Sequence, residues 1–145
     1  MIIGYTTGVF DLFHVGHVRI LQNARSMCDR LIVGVTTDEL VCEYKKKSPV
    51  IPYDERVEII SSNRYVDAVV PQTSYDKMAA WQLYKFNIMF VGDDWKGTKK
   101  WNELEQAFEA VGVRIVYFPY TKTTSSTLLN DTLKRLSEDH GVAKC

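Results

Sequence analysis

Five short apolar runs, each separated from the next by a stretch with helical spacing, set the strongest constraint on what this chain can become. They are Ile2-Ile3-Gly4-Tyr5-Thr6, Leu31-Ile32-Val33-Gly34-Val35, Ala68-Val69-Val70, Ile88-Met89-Phe90-Val91 and Val113-Arg114-Ile115-Val116-Tyr117-Phe118. The runs are continuous rather than alternating, as in strands covered on both faces. Helical patterns fit residues 18–28, 54–62, 76–86, 101–111 and 125–136. Gly112 is placed to end the fourth of these helices, and Pro49 and Pro52 frame a loop ahead of the second. Strand–helix alternation with right-handed crossovers predicts an α/β fold: a Rossmann-like, doubly wound, parallel five-stranded sheet. No repeat, low-complexity linker or shift of composition divides the 145 residues. Residues 1–145 therefore read as a single domain, with a core over about 1–130 and a C-terminal helix and tail after it.

Composition narrows the partners. Lysine plus arginine (18) balances aspartate plus glutamate (18), so no global field is available to hold nucleic acid or an anionic membrane. Apolar runs of about five residues fall far short of the ~20 that cross a bilayer. The three cysteines, Cys28, Cys42 and Cys145, have no paired short spacing, and no leader precedes Met1-Ile2-Ile3-Gly4. Buried thiols are the reading for Cys28 and Cys42, and a cytoplasmic location is expected. The partner should be small, and any phosphate chemistry must come from local placement of charge.

In doubly wound sheets, ligands collect beyond the carboxyl ends of the strands. That singles out residues 7–17, 36–52, 71–77, 92–100 and 119–127. The first of these reads Thr7-Gly8-Val9-Phe10-Asp11-Leu12-Phe13-His14-Val15-Gly16-His17, with the helix expected to begin at its end. Two histidines bracketing a glycine at a helix N-terminus favour an anion. Amides and the helix dipole point at it, Gly16 lets the backbone approach, and both imidazoles can donate to phosphate oxygens. Lys45-Lys46-Lys47 lies between a strand end and a proline-framed turn, which gives an ordinarily solvated lysine run a ligand-side position. Asp93-Asp94 reads as a helix cap or as a contact to a base. Arg64 and Asp67 read as a structural ion pair or as a base contact. Ser125-Ser126-Thr127 places hydroxyls and amides at another helix start.

These residues resemble the cytidylyltransferase branch of the HxGH nucleotidyltransferase superfamily, and within it the glycerol-3-phosphate cytidylyltransferases. Besides Gly8-Val9-Phe10-Asp11-Leu12-Phe13-His14-Val15-Gly16-His17, the matching segments are Thr37-Asp38-Glu39, Arg64-Tyr65-Val66-Asp67 and Gly92-Asp93-Asp94-Trp95. The resemblance covers about residues 1–130. It implies in-line attack by a substrate phosphate on the α-phosphate of CTP, giving a CDP-alcohol and pyrophosphate without a covalent enzyme intermediate. The acceptor it points to is sn-glycerol 3-phosphate, and the Mg2+ would be held mainly by the CTP phosphates. It further implies that His14, His17 and Lys46 are catalytic. Val9, Phe10, Asp11, Gly16, Arg64, Asp94, Tyr120, Thr121, Ser125, Ser126 and Thr127 would hold the nucleotide, with Asp11 orienting neighbouring groups or helping to place magnesium. Lys45 and Lys77 would hold the acceptor, Lys45 substituting for a lysine where this chain has Tyr44.

The chain departs from the family's Arg-Thr-x-Gly-Ile-Ser-Thr-Thr segment by carrying Tyr120 and Thr123 in place of arginine and glycine. Other acceptors (phosphoethanolamine, phosphocholine, a sugar phosphate), an adenylyltransferase of the same superfamily, and a nucleotide-binding domain without turnover are the competing readings. A homodimer is expected from the resemblance and from the aromatic cluster Trp81, Tyr84 and Phe86.

Overall fold

In a computed structural model of the chain, residues 1–119 and 126–136 are described. The order is β1 (Ile3–Gly8), α1 (Val15–Ser26), β2 (Arg30–Thr36), α2 (Asp38–Lys45), α3 (Tyr53–Ser61), β3 (Ala68–Gln72), α4 (Lys77–Tyr84) and β4 (Ile88–Gly92). A single 3-10 turn (Asp93–Trp95), α5 (Lys99–Ala110), β5 (Arg114–Phe118) and α6 (Ser126–Leu136) follow. All strand pairs are parallel, in the order β3-β2-β1-β4-β5. The doubly wound, Rossmann-like sheet predicted from the apolar runs is the fold observed.

Side chains alternate along the strands and build two cores. Leu31, Val33 and Val35 of β2, with Ile88 and Phe90 of β4, meet Leu21 and Ala24 of α1 and Ile60 of α3. Tyr5, Ile32 and Met89 point the other way, onto Phe108 of α5 and Trp81 and Tyr84 of α4. Helices therefore cover both faces, which is why the strand sequences are continuously apolar. Phe86 is buried and Tyr84 stacks on Tyr5, with ring centroids 5.7 Å apart. All three aromatics that suggested a dimer, Trp81, Tyr84 and Phe86, thus serve the core.

Three local expectations are corrected. Residues 38–45, read as part of a ligand-side loop, form α2: Thr37 Oγ1 accepts from Leu40 N at 3.3 Å, and Asp38 and Glu39 occupy the favourable first turn. The first helix begins at Val15 rather than Val18, because His14 itself is the cap. Cys42 is half-buried near Ser48, whereas Cys28 is buried as expected. Gly112 does end a helix. With φ of 80° it sits one residue past Val111, and the bonds Val113 N to Phe108 O (2.8 Å) and Gly112 N to Glu109 O (3.1 Å) close a Schellman motif.

The switch in strand order falls at β1, where the chain runs outward to β2 and β3 and then returns to its other side as β4. A crevice for ligands opens there. Gly4 lets β1 lie tightly against its neighbours: a Cβ on it would stand 2.7 Å from both Cys28 Sγ and Phe90 Cε2. Gly4→Ala is expected to destabilise the fold by about 1–3 kcal/mol through overpacking. Urea denaturation measures this, and adding Cys28→Ala, which clears one of the two contacts, should recover part of the loss.

Candidate active site

The loop after β1 is held in a conformation that its sequence would not choose unaided. Phe10 (φ 54°) and Leu12 (φ 50°) are both left-handed, at about 1–3 kcal/mol each for such residues. Asp11, between them, is 7% exposed, and its two carboxylate oxygens accept from Val50 N (2.8 Å) and Ile51 N (2.9 Å). Its role here is to orient the loop. Beneath it lies Arg56 of α3, fully buried. Arg56 Nε donates to Ile51 O (2.9 Å), Nη1 to Val9 O (2.7 Å) and Thr36 O (2.8 Å), and Nη2 to Asp38 Oδ1 (2.7 Å). Asp38 Oδ2 in turn accepts from Tyr53 N at 3.1 Å. One cation thus joins the ends of β1 and β2 to the starts of α2 and α3.

His14 and His17 cap α1 reciprocally. His14 Nδ1 accepts from Gly16 N at 3.0 Å, and His17 Nδ1 accepts from His14 N at 3.3 Å. Their rings lie 4.0 Å apart, and His17 also stacks on Phe13 and meets the edge of Phe10. With both Nδ1 atoms accepting, the neutral rings carry their protons on Nε2, a tautomer inferred from the hydrogen bonds. Burial, and secondarily the charge of His14, lowers the His17 pKa to about 4; burial also lowers that of His14. Both histidines are therefore neutral donors at pH 7. The amide of Gly16, expected to face phosphate, is already occupied by His14.

Two adjoining compartments open at the carboxyl edge of β1 and β4. One, of about 380 Å³, is lined by Gly8 to Phe10, by His17, Lys45 and Lys47, and by Thr127 of α6. The other, of about 530 Å³, shares Gly8, Val9 and Lys45 and adds Lys77, Lys100, Trp95 and Trp101. Lys77 Nζ donates to Thr7 Oγ1 at 3.3 Å, and burial, then the nearby Lys100 charge, lowers its pKa to about 8.

The structure thus brings Val9, Phe10, Asp11, His17, Lys45, Lys77 and Thr127 onto these walls; His14 and Gly16 are not wall residues, the His14 ring standing 4.0 Å from that of His17 and the Gly16 amide donating to the His14 ring. Lys46 is not among the wall residues. It is the exposed, left-handed cap of α2 (φ 58°), flanked by Lys45 and Lys47, which are. Arg64 and Asp94 are exposed and also off the walls; Arg64 instead packs over Tyr65, donating to its hydroxyl at 2.8 Å. Asp67 pairs with Arg25 at 2.9 Å, so the suggested ion pair with Arg64 is replaced by one with α1. Tyr120, Thr121 and Ser125 lie outside the described residues, as does the side chain of Ser126. Sequence reasoning missed Arg56 and Lys100, and it put Lys47 on the ligand side without giving it a role. For Arg56 a signal existed, since it falls four residues before Ile60 on the apolar face of a helix. Among the described residues no cluster of His, Cys, Asp and Glu could hold a metal ion.

Residues 5–133 match the family model described as cytidylyltransferase-like. A glycerol-3-phosphate cytidylyltransferase of Bacillus spizizenii is 34% identical over 132 residues, covering 90% of this chain and 96% of that protein. An FAD synthase of Pyrococcus abyssi is 29% identical over 134 residues, covering 90% of this chain and 89% of its own. Among solved structures, a lipopolysaccharide core biosynthesis protein of Thermoplasma volcanium superposes with a TM-score of 0.69 at 27% identity, covering 86% of this chain and 99% of that one.

The buried imidazole sets a pH dependence. In the unfolded chain a histidine takes up its proton near pH 6.5, whereas His17 holds off until about 4. The stability associated with neutral His17 is complete above pH 6.5 and is lost as pH falls towards 4, by about 3 kcal/mol in all. Urea midpoints between pH 7 and 4.5 should show this slope, and His17→Asn should flatten it; an unchanged slope would exclude His17 as its source. Asp11→Ala removes two hydrogen bonds to a carboxylate and releases a left-handed loop. It should destabilise by about 2–4 kcal/mol in the same assay.

Proposed function

Because the chain belongs to the cytidylyltransferase-like family, we propose that it transfers a cytidylyl group from CTP to a phosphorylated alcohol, releasing pyrophosphate. The observation that carries this is the pair of neutral, capped histidines set beside two compartments walled by lysines. With Nδ1 committed to a backbone amide, an Nε2–H is what each ring has left to offer. Such a donor strengthens as charge builds on the oxygens of a phosphorus under attack. In this reading the walls supply positioning and charge, which is what a direct in-line displacement asks of a protein.

In this reading His14 and His17 act on the α-phosphate, and Val9 and Phe10 line the nucleotide with backbone groups. Lys46, with Lys47 beside it, neutralises the triphosphate. Arg64 and Asp94 serve the base, and Tyr120, Thr121, Ser125, Ser126 and Thr127 bind the nucleotide. Lys45 and Lys77 receive the acceptor phosphate. Magnesium would arrive on the nucleotide phosphates, since both Asp11 oxygens accept from amides and the described residues form no donor set for it.

As acceptor, sn-glycerol 3-phosphate is supported by the Bacillus relative; the FAD synthase relative supports a second reading with ATP as donor. The proposal extends to a homodimer in the cytoplasm. It draws on the family resemblance and on Leu83, 74% exposed on α4.

His17→Ala is expected to lower turnover about 10²-fold or more, the scale of a lost transition-state donor. Pyrophosphate release measured with each nucleoside triphosphate across a panel of phosphorylated alcohols tests the whole reading. Preference for ATP, or no release with any pair, would overturn it. Sedimentation at micromolar concentration decides between dimer and monomer.

A further inference from the structure

Lys100 has no part in the roles assigned above, yet it stands where a cation has no structural reason to be. It lies in the first turn of α5, which contains no acidic residue and has Lys99 beside it. Positive charge there opposes the helix dipole. Lys100 belongs to neither ion pair among the described residues. It lines the compartment of about 530 Å³ together with Lys77 and Lys45, and among the described residues no carboxylate stands on those walls. Tyr44, which neighbours this loop, packs edge-on against Tyr75 and brings no charge. In a chain whose formal charges cancel, three lysines around one acid-free cavity are a local conflict that an anion resolves.

We propose that Lys100 is a binding residue for the acceptor's phosphate, completing with Lys77 and Lys45 a cradle for a phosphate monoester dianion. This rests on the transfer reading above and adds a residue that the reading did not assign. The chemistry asks for such a cradle. An oxygen of the monoester forms a bond to the α-phosphorus, the bond from that phosphorus to the bridging oxygen breaks, and its electron pair leaves with pyrophosphate. No proton has to move if the monoester is already a dianion. Its second ionisation lies near pH 6, and adjacent cations push it lower. Among the described residues, the groups that share these walls with Lys77 or contact it are Lys100 from α5, Lys45 from α2, the Tyr75 ring at 5.8 Å and Thr7 Oγ1. None carries negative charge at pH 7. The repulsion from Lys100 that lowers the Lys77 pKa in the empty site is the same charge that a bound dianion would neutralise.

The test is Lys100→Ala against Lys100→Arg, two substitutions on an exposed helix turn, with circular dichroism to confirm the fold. Steady-state kinetics of the intact protein, using CTP and sn-glycerol 3-phosphate or the best acceptor of the panel, should show the acceptor KM rising about five- to tenfold in Lys100→Ala. The KM for CTP should stay put, and Lys100→Arg should restore the acceptor KM. A second readout does not depend on turnover. The Lys77 pKa, followed by NMR of its side-chain nitrogen, should rise in Lys100→Ala, and in the wild type it should rise on adding inorganic phosphate. An unchanged acceptor KM, or a change in the KM for CTP instead, overturns the assignment of Lys100. So does a Lys77 pKa indifferent to phosphate. If the wild type transfers no nucleotide to any acceptor while phosphate still moves Lys77, the transfer reading fails and the anion cradle stands.

Discussion

The buried guanidinium of Arg56 is the constraint from which the site follows. It donates to the carbonyls that end β1 and β2 and to the carboxylate that begins α2, while its own helix packs on the sheet. A cation without water must keep every such partner, because losing one partner of a buried pair costs about 3–5 kcal/mol. Ile51 is gripped at both its polar groups, its carbonyl by Arg56 and its amide by Asp11. The loop after β1 and the loop before α3 therefore cannot move independently. This rigidity keeps Phe10 and Leu12 left-handed. The strain of those two residues is of the same order as what the charge-assisted bonds of Asp11 contribute, so the loop persists as a pre-shaped edge rather than a mobile one.

On that edge the electrostatics are divided. The α1 side presents histidines kept neutral by burial and, for His17, also by the nearby His14. The α2, α4 and α5 sides present lysines. Neutral donors suit a group whose charge increases during reaction, since their hydrogen bonds strengthen at that moment. Fixed cations suit ligands that are charged throughout. His17 shares the compartment of about 380 Å³ with Lys45 and Lys47, while Lys77 and Lys100 line the adjoining one, so a neutral donor for the phosphorus under attack stands beside cations for the phosphates that arrive with each substrate.

The sheet was legible because both its faces are covered, and a doubly covered strand must be apolar without alternation. Legibility ended where local signals competed. Thr37-Asp38-Glu39 followed by Leu40 and Val41 carries the cap, acidic turn and apolar pair of a helix start, but the flanking lysines and prolines read as loop. Asp11 and the histidines were found as motif residues. The partners of Asp11, Val50 and Ile51, were not, because amides some forty residues away leave no trace in composition. Lys46 shows the limit of reading by position: once residues 38–45 wind into a helix, its neighbours Lys45 and Lys47 reach the walls and Lys46 becomes the cap.

The spacing of the two histidines shows why a structural and a catalytic reading of one motif need not compete. Residues three apart across a helix start are the positions at which two side chains can satisfy each other's end amides. An imidazole that does so has one nitrogen committed as acceptor and must hold its proton on the other. A serine or glutamate could cap as well, but neither would be left with a ring N–H fixed in direction by the cap itself. Gly16 fits the same logic. It is buried in the first turn of α1, and its amide is the end group that His14 Nδ1 satisfies. Capping the helix and presenting two oriented N–H donors are then a single arrangement. Selection for the chemistry would maintain the cap, and selection for the cap alone would not require histidine.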